Sequence, residues 1–152
     1  MKTFILCLLF SFNVKAELQA PEYGSCNFYL SLEKTIPCGP AGYAKDFGYF
    51  YCEQFLKAKA YRFSERGKEF LTKNAFCLQD EIYRAYMENP HLSCQQIESS
   101  AFKDHVNCYT ESDFCELSIS DKVILTNIIK KQLPLKIVRD QIKEVLKRCR
   151  QQ

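Results

Sequence analysis

The chain has 152 residues, with 21 Lys and Arg against 18 Asp and Glu for a formal charge of +3. A balance so close to neutral predicts no nucleic-acid partner, and no stretch approaches the roughly 20 apolar residues of a membrane-spanning helix. Nine cysteines in a chain of single-domain length direct attention to disulfides.

Met1-Lys2 is a short positive start, Thr3 to Phe12 an apolar run, and Val14-Lys15-Ala16 a small-x-small site before Glu17. This is the layout of a secretory signal peptide over residues 1–16, with cleavage expected after Ala16. Cys7 leaves with it, so the mature 136 residues carry eight cysteines and 19 basic against 18 acidic groups. An even count fits a fully paired framework in an oxidising compartment, extracellular or, in a Gram-negative source, periplasmic. Each bond is expected to add roughly 3 to 4 kcal/mol, so reduction should threaten the fold.

Residues 17–42 form a Gly/Pro-rich segment with Pro21, Gly24, Pro37, Gly39, Pro40 and Gly42, which breaks up long helices and leaves Cys26 and Cys38 to anchor it. The helical domain is expected over 43–152. From Tyr43 to about Tyr61, aromatics and Leu56 recur at helical spacing around Cys52. The group Phe47, Tyr49, Phe50, Tyr51 and Phe55 is too dense for one helix face. Tyr43, Phe47, Phe50 and Phe55 are assigned to the core, and Tyr49 and Tyr51 to partial exposure. Ser64 is placed as N-cap of a second helix through Phe70, Ala75, Leu78 and Ile82, ended by Asn89-Pro90.

Ser93 with Gln96 makes a capping box for a third helix through Ile97, Phe102, Val106 and Tyr109. Ser120 is expected to cap a fourth helix, and Pro134 to sit in the first turn of a fifth. In the fifth, Leu135, Val138, Ile142, Val145, Leu146 and Cys149 share one face. The last two helices read as an antiparallel hairpin. With no alternating strand pair and no repeat, the fold class is all-α, a small irregular bundle of about five helices stapled by four disulfides.

No CxxC, CxH or HxxxH pairing occurs, and His91 and His105 stand apart, so no metal and no cofactor is assigned. From Cys52, the intervals to Cys77, Cys94, Cys108, Cys115 and Cys149 are 24, 16, 13, 6 and 33 residues. Around them stand Cys52-Glu53-Gln54-Phe55-Leu56, Gly67-Lys68-Glu69-Phe70, Cys108-Tyr109 and Gln132-Leu133-Pro134. In this ordered set the chain resembles the central domain of the stanniocalcins. The resemblance implies the pairs Cys26–Cys52, Cys38–Cys94, Cys77–Cys108 and Cys115–Cys149. It also implies a secreted, non-enzymatic, hormone-like or protease-inhibitor-like regulator acting on an extracellular or periplasmic protein partner.

Three family features are missing: a further cysteine pair near the start, the unpaired cysteine of a C-terminal extension and any Asn-x-Ser/Thr sequon. A monomer or non-covalent oligomer is therefore expected, not a disulfide-linked dimer. The competing class is a phospholipase A2-like secreted enzyme, with fragments at Asp104-His105-Val106-Asn107-Cys108-Tyr109 and Lys45-Asp46-Phe47-Gly48-Tyr49. That chemistry needs an adjacent His-Asp pair, and neither fragment has one. No GxSxG, HExxH or P-loop motif occurs, and no catalytic residue is assigned.

A candidate partner surface lies on the last helix, where Lys136, Arg139, Lys143, Lys147 and Arg150 fall close together in projection. Such a face suits a polyanion contact, although a solvated face with Asp140 and Glu144 as local partners is the commoner outcome.

Overall fold

The computed structural model describes residues 17–151, so the signal-peptide expectation lies outside the described residues. Between the breakers Gly24 and Pro37 the chain has room for one short helix, and α1 (Asn27–Thr35) occupies it. The sequence reading left this stretch irregular. Burial of Phe28, Tyr29 and Leu32 against the rest of the bundle drives its formation. The buried Glu33 carboxylate then accepts the N–H groups of Cys38 (3.3 Å) and Gly39 (2.8 Å) and fixes the following turn.

Residues 43–58 form a helix of uneven pitch. Tyr43–Tyr49 and Gln54–Ala58 are π-helical and flank a single α-turn, α2 (Phe50–Glu53). A 3₁₀ turn at Ala60–Arg62 leads to α3 (Glu65–Glu88), whose N-cap Ser64 accepts the Gly67 N–H at 3.0 Å. Asn89 caps its other end before Pro90. Helix α4 (Cys94–Glu111) opens on the expected reciprocal box: Gln96 N–H donates to Ser93 Oγ, and Ser93 N–H to Gln96 Oε1.

Asp113 reverses the chain in the left-handed region at φ 70°, ahead of a 3₁₀ turn at Phe114–Glu116. Helix α5 (Ile119–Ile128) is capped by Ser118, not Ser120, because only Ser118 has the extended backbone that lets its hydroxyl accept the Asp121 N–H (3.0 Å). Helix α6 (Lys136–Cys149) starts after Leu135, so Pro134 precedes the helix instead of opening it. There the Arg139 guanidinium donates to the carbonyls of Leu133 and Pro134 and holds the entry turn.

The result is an all-α bundle without strands among the described residues, stapled by four disulfides. Cys26–Cys52 and Cys38–Cys94 tie the first segment to the bundle, Cys77–Cys108 joins α3 to α4, and Cys115–Cys149 fastens the end of α6. The core has two parts. One gathers Phe28, Tyr29, Leu32, Tyr43, Ile82, Ile97 and Phe102, the other Phe63, Phe70, Leu71, Phe114, Leu117, Leu125 and Val145. Helix α3 runs through both.

The expected hairpin of the last two helices is splayed. Helix α6 docks on α4 instead of on α5, and side chains of α5 and α6 face a common space.

Candidate functional site: an aromatic chamber between the two cores

The chamber begins with the uneven helix at 43–58. An α-helix turns every 3.6 residues, and π turns hold more. A stretch that mixes them keeps every fourth residue nearly in line. Tyr43, Phe47, Tyr51 and Phe55 form such a ladder, with ring centroids 5.6, 4.9 and 6.3 Å apart in sequence. The same winding turns Phe50 outward. Phe50 is 50% exposed and Tyr51 only 7%, the reverse of the assignment from a uniform helix.

Opposite the ladder, α4 presents His105 and Tyr109, and the His105 ring is stacked between those of Phe102 and Tyr109 at 5.5 and 6.3 Å. Helix α3 contributes Phe70, Leu71 and Asn74, α5 contributes Leu125, and α6 contributes Val138 and Val145. Together these walls enclose about 380 Å³ drawn from both core clusters. Among the lining residues only Thr126 of α5 and Leu146 of α6 are exposed, which places the mouth between those two helices. Gln132 donates to the Tyr51 hydroxyl at 2.8 Å and closes the end nearest the α5–α6 connection.

Polar groups on the walls are few. Burial pushes the phenols of Tyr29 and Tyr43 upward and that of Tyr109 to about 12. Burial also lowers His105 to about 4, outweighing the opposing bond to the Ala101 carbonyl, so the imidazole is neutral at physiological pH. That bond, 2.5 Å from Nδ1 to a carbonyl oxygen, requires the proton on Nδ1. Nε2 is left as an acceptor, and no donor from the described residues meets it. Asn74 is only 7% exposed, and its Oδ1 likewise has no partner among the described residues.

The single charged lining residue is Lys122. Its Nζ donates to the Cys115 carbonyl at 2.9 Å and lies 5.4 Å from the centroid of the Phe114 ring.

No carboxylate lines the chamber, so His105 has no acidic partner there. Its neighbour Asp104 instead accepts from the Ser100 hydroxyl at 3.4 Å. Among the described residues no cluster of three His, Cys, Asp or Glu side chains is placed to hold a metal ion.

The remaining candidates lie elsewhere. The eight cysteines among the described residues, Cys26, Cys38, Cys52, Cys77, Cys94, Cys108, Cys115 and Cys149, stand in the pairs that the stanniocalcin resemblance implies. On α6, Lys136 pairs with Asp140 at 2.5 Å, Lys143 with Asp140 at 3.8 Å and Lys147 with Glu144 at 3.6 Å. Arg139 is engaged by backbone carbonyls, and Arg150 is exposed. Of the apolar face expected on α6, Val138 and Val145 are buried, whereas Leu135 and Leu146 are exposed beside the turn and the mouth.

Sequence reasoning missed two features. One is the chamber. The other is Asp121, which binds two helix starts and whose signal, Ser118-x-x-Asp121, is present in the sequence. Compared with protein-family models, curated proteins and solved structures, the chain matches none of them.

Proposed function

We propose that this is an extracellular, non-enzymatic binding protein that carries an apolar small molecule between its two cores. The observation behind the reading is the aromatic chamber of about 380 Å³, within the range of small-molecule sites. Its lining of Phe, Tyr, Leu, Ile and Val favours an apolar occupant over water. The four disulfides suit an oxidising compartment. The absence of a carboxylate beside His105 supports binding over hydrolysis.

The test is titration of the oxidised protein with N-phenyl-1-naphthylamine, whose fluorescence rises in apolar surroundings. Saturable one-to-one binding is expected, abolished by Ile142→Trp, which fills the chamber from α6. Binding that does not saturate, or that survives Ile142→Trp unchanged, overturns the reading.

A second reading follows from the cysteine intervals and their pairing: a stanniocalcin-like regulator that works by contacting another extracellular protein. Its support is the ordered set of cysteines with their flanking residues. Co-purification of one defined extracellular protease or receptor with the wild-type chain and equally with Ile142→Trp is its expected signature. A polyanion contact through α6 gains no support, because local acids and carbonyls already engage Lys136, Arg139, Lys143 and Lys147.

A further inference from the structure

From the polar groups of the chamber we infer that its ligand is a neutral, largely apolar molecule bearing a hydroxyl group, whose O–H donates to Nε2 of His105. This rests on the chamber being a binding site and goes on to name the class of ligand. The argument is one of complementarity. A largely aromatic and aliphatic wall, with Asn74, Lys122, Thr126, Gln132 and Gln141 as its other polar residues, contains an imidazole fixed by its Nδ1–H bond to Ala101, which leaves one acceptor without a protein partner. On the facing helix, Asn74 is over nine-tenths buried with an unpartnered oxygen. That oxygen is sealed from a water-sized molecule, so the Nε2 acceptor of His105 marks where a ligand's polar end belongs.

The charge on that end follows from the same inventory. A carboxylate ligand needs a cation beside its polar end, but among the described residues the only lining cation is Lys122, which stands on α5 against Cys115 and Phe114, whereas the free acceptor is on α4. A cationic ligand needs an anion, and none lines the chamber. The imidazole itself resists charging inside aromatic walls. A neutral hydroxyl meets none of these costs, because it donates its one proton to Nε2.

The test displaces N-phenyl-1-naphthylamine from the oxidised protein with dodecanol, dodecane and dodecanoate, and repeats this on His105→Leu and His105→Gln. The expected result is that His105→Leu weakens dodecanol about tenfold, or about 1.4 kcal/mol, while dodecane is unchanged or tighter. His105→Gln, which keeps a neutral acceptor, should restore much of the preference. A parallel loss for dodecanol and dodecane on His105→Leu, or dodecanoate binding more tightly than dodecanol to wild type, overturns the hydroxyl assignment and leaves the apolar site standing. Failure of the wild type to bind the probe or any of the three overturns the site itself.

Discussion

Asp121 and Ser64 meet across 57 residues of chain: the Ser64 N–H donates to Oδ1 at 2.9 Å, and its hydroxyl donates to Oδ2 at 2.7 Å. The Ser118 hydroxyl donates to the same Oδ2 at 2.8 Å. One carboxylate, 1% exposed, thus orients the N-caps of both α3 and α5 and lies where two helix dipoles favour negative charge. Replacing Asp121 with Ala should destabilise the fold by about 3 kcal/mol, from two misdirected caps and unpaired buried donors. Urea unfolding of the oxidised protein measures it, and a loss under about 1 kcal/mol contradicts the clamp.

Acid should weaken the same clamp. Burial raises the Asp121 carboxyl, but the bonds from Ser64 and Ser118 outweigh it and hold the group below the ordinary aspartate value. Its contribution is therefore fully present above about pH 4 and lost as pH falls through the depressed value. Asp121→Ala should show a shallower decline in stability below that point than the wild type.

His105 produces a separate and higher acid limb. Its folded value of about 4 lies under the ordinary 6.5, so between these values the unfolded chain binds more protons than the folded one. Stability then rises with pH from about 4 to 6.5, by up to roughly 3 kcal/mol in total. On the chamber wall, burial holds the phenols of Tyr43 and Tyr109 above their ordinary value, so both stay neutral in that window. His105→Phe should flatten the limb without touching the steeper fall at lower pH. An unchanged profile would mean that the imidazole is already hydrated or charged.

Gly48 lies against the ring of Tyr29, where an added Cβ would sit 2.4 Å from the ring carbon Cε1. Gly→Ala in an ordinary helix is stabilising by about 1 kcal/mol. Here the sign reverses, and about 2 kcal/mol of destabilisation is expected from displacing a buried ring. Tyr29→Leu in the Gly48→Ala background should recover part of the loss, so a thermal-melt double-mutant cycle would show strong coupling.

What was legible in the sequence was local. Ser64, Ser93 with Gln96, and Asn89-Pro90 announce helix ends through bonds that span three or four residues, and the structure places those ends accordingly. The cap at Ser118 is equally local, written in Ser118-x-x-Asp121, but Ser120 stands closer to the apolar run and masks it. Residues 43–58 were misread at Phe50 and Tyr51 because a fixed 3.6-residue period was applied to a helix with wider turns. The chamber was invisible for a related reason. It exists because α6 rests on α4 and leaves α5 standing apart, and a periodic apolar face shows that a helix is buried without showing against what.

The spans 26–52, 38–94 and 77–108 overlap in series, so each of these bonds shares its stretch of backbone with another. The span 115–149 begins only after the last of them has closed. The covalent topology is thus three interlaced links followed by one independent clasp, and the clasp encloses α5, α6 and the mouth between them. A reductant that opened Cys115–Cys149 alone would loosen the doorway while every residue from 26 to 108 stayed threaded. Closure of the mouth and integrity of the scaffold are thereby assigned to different bonds.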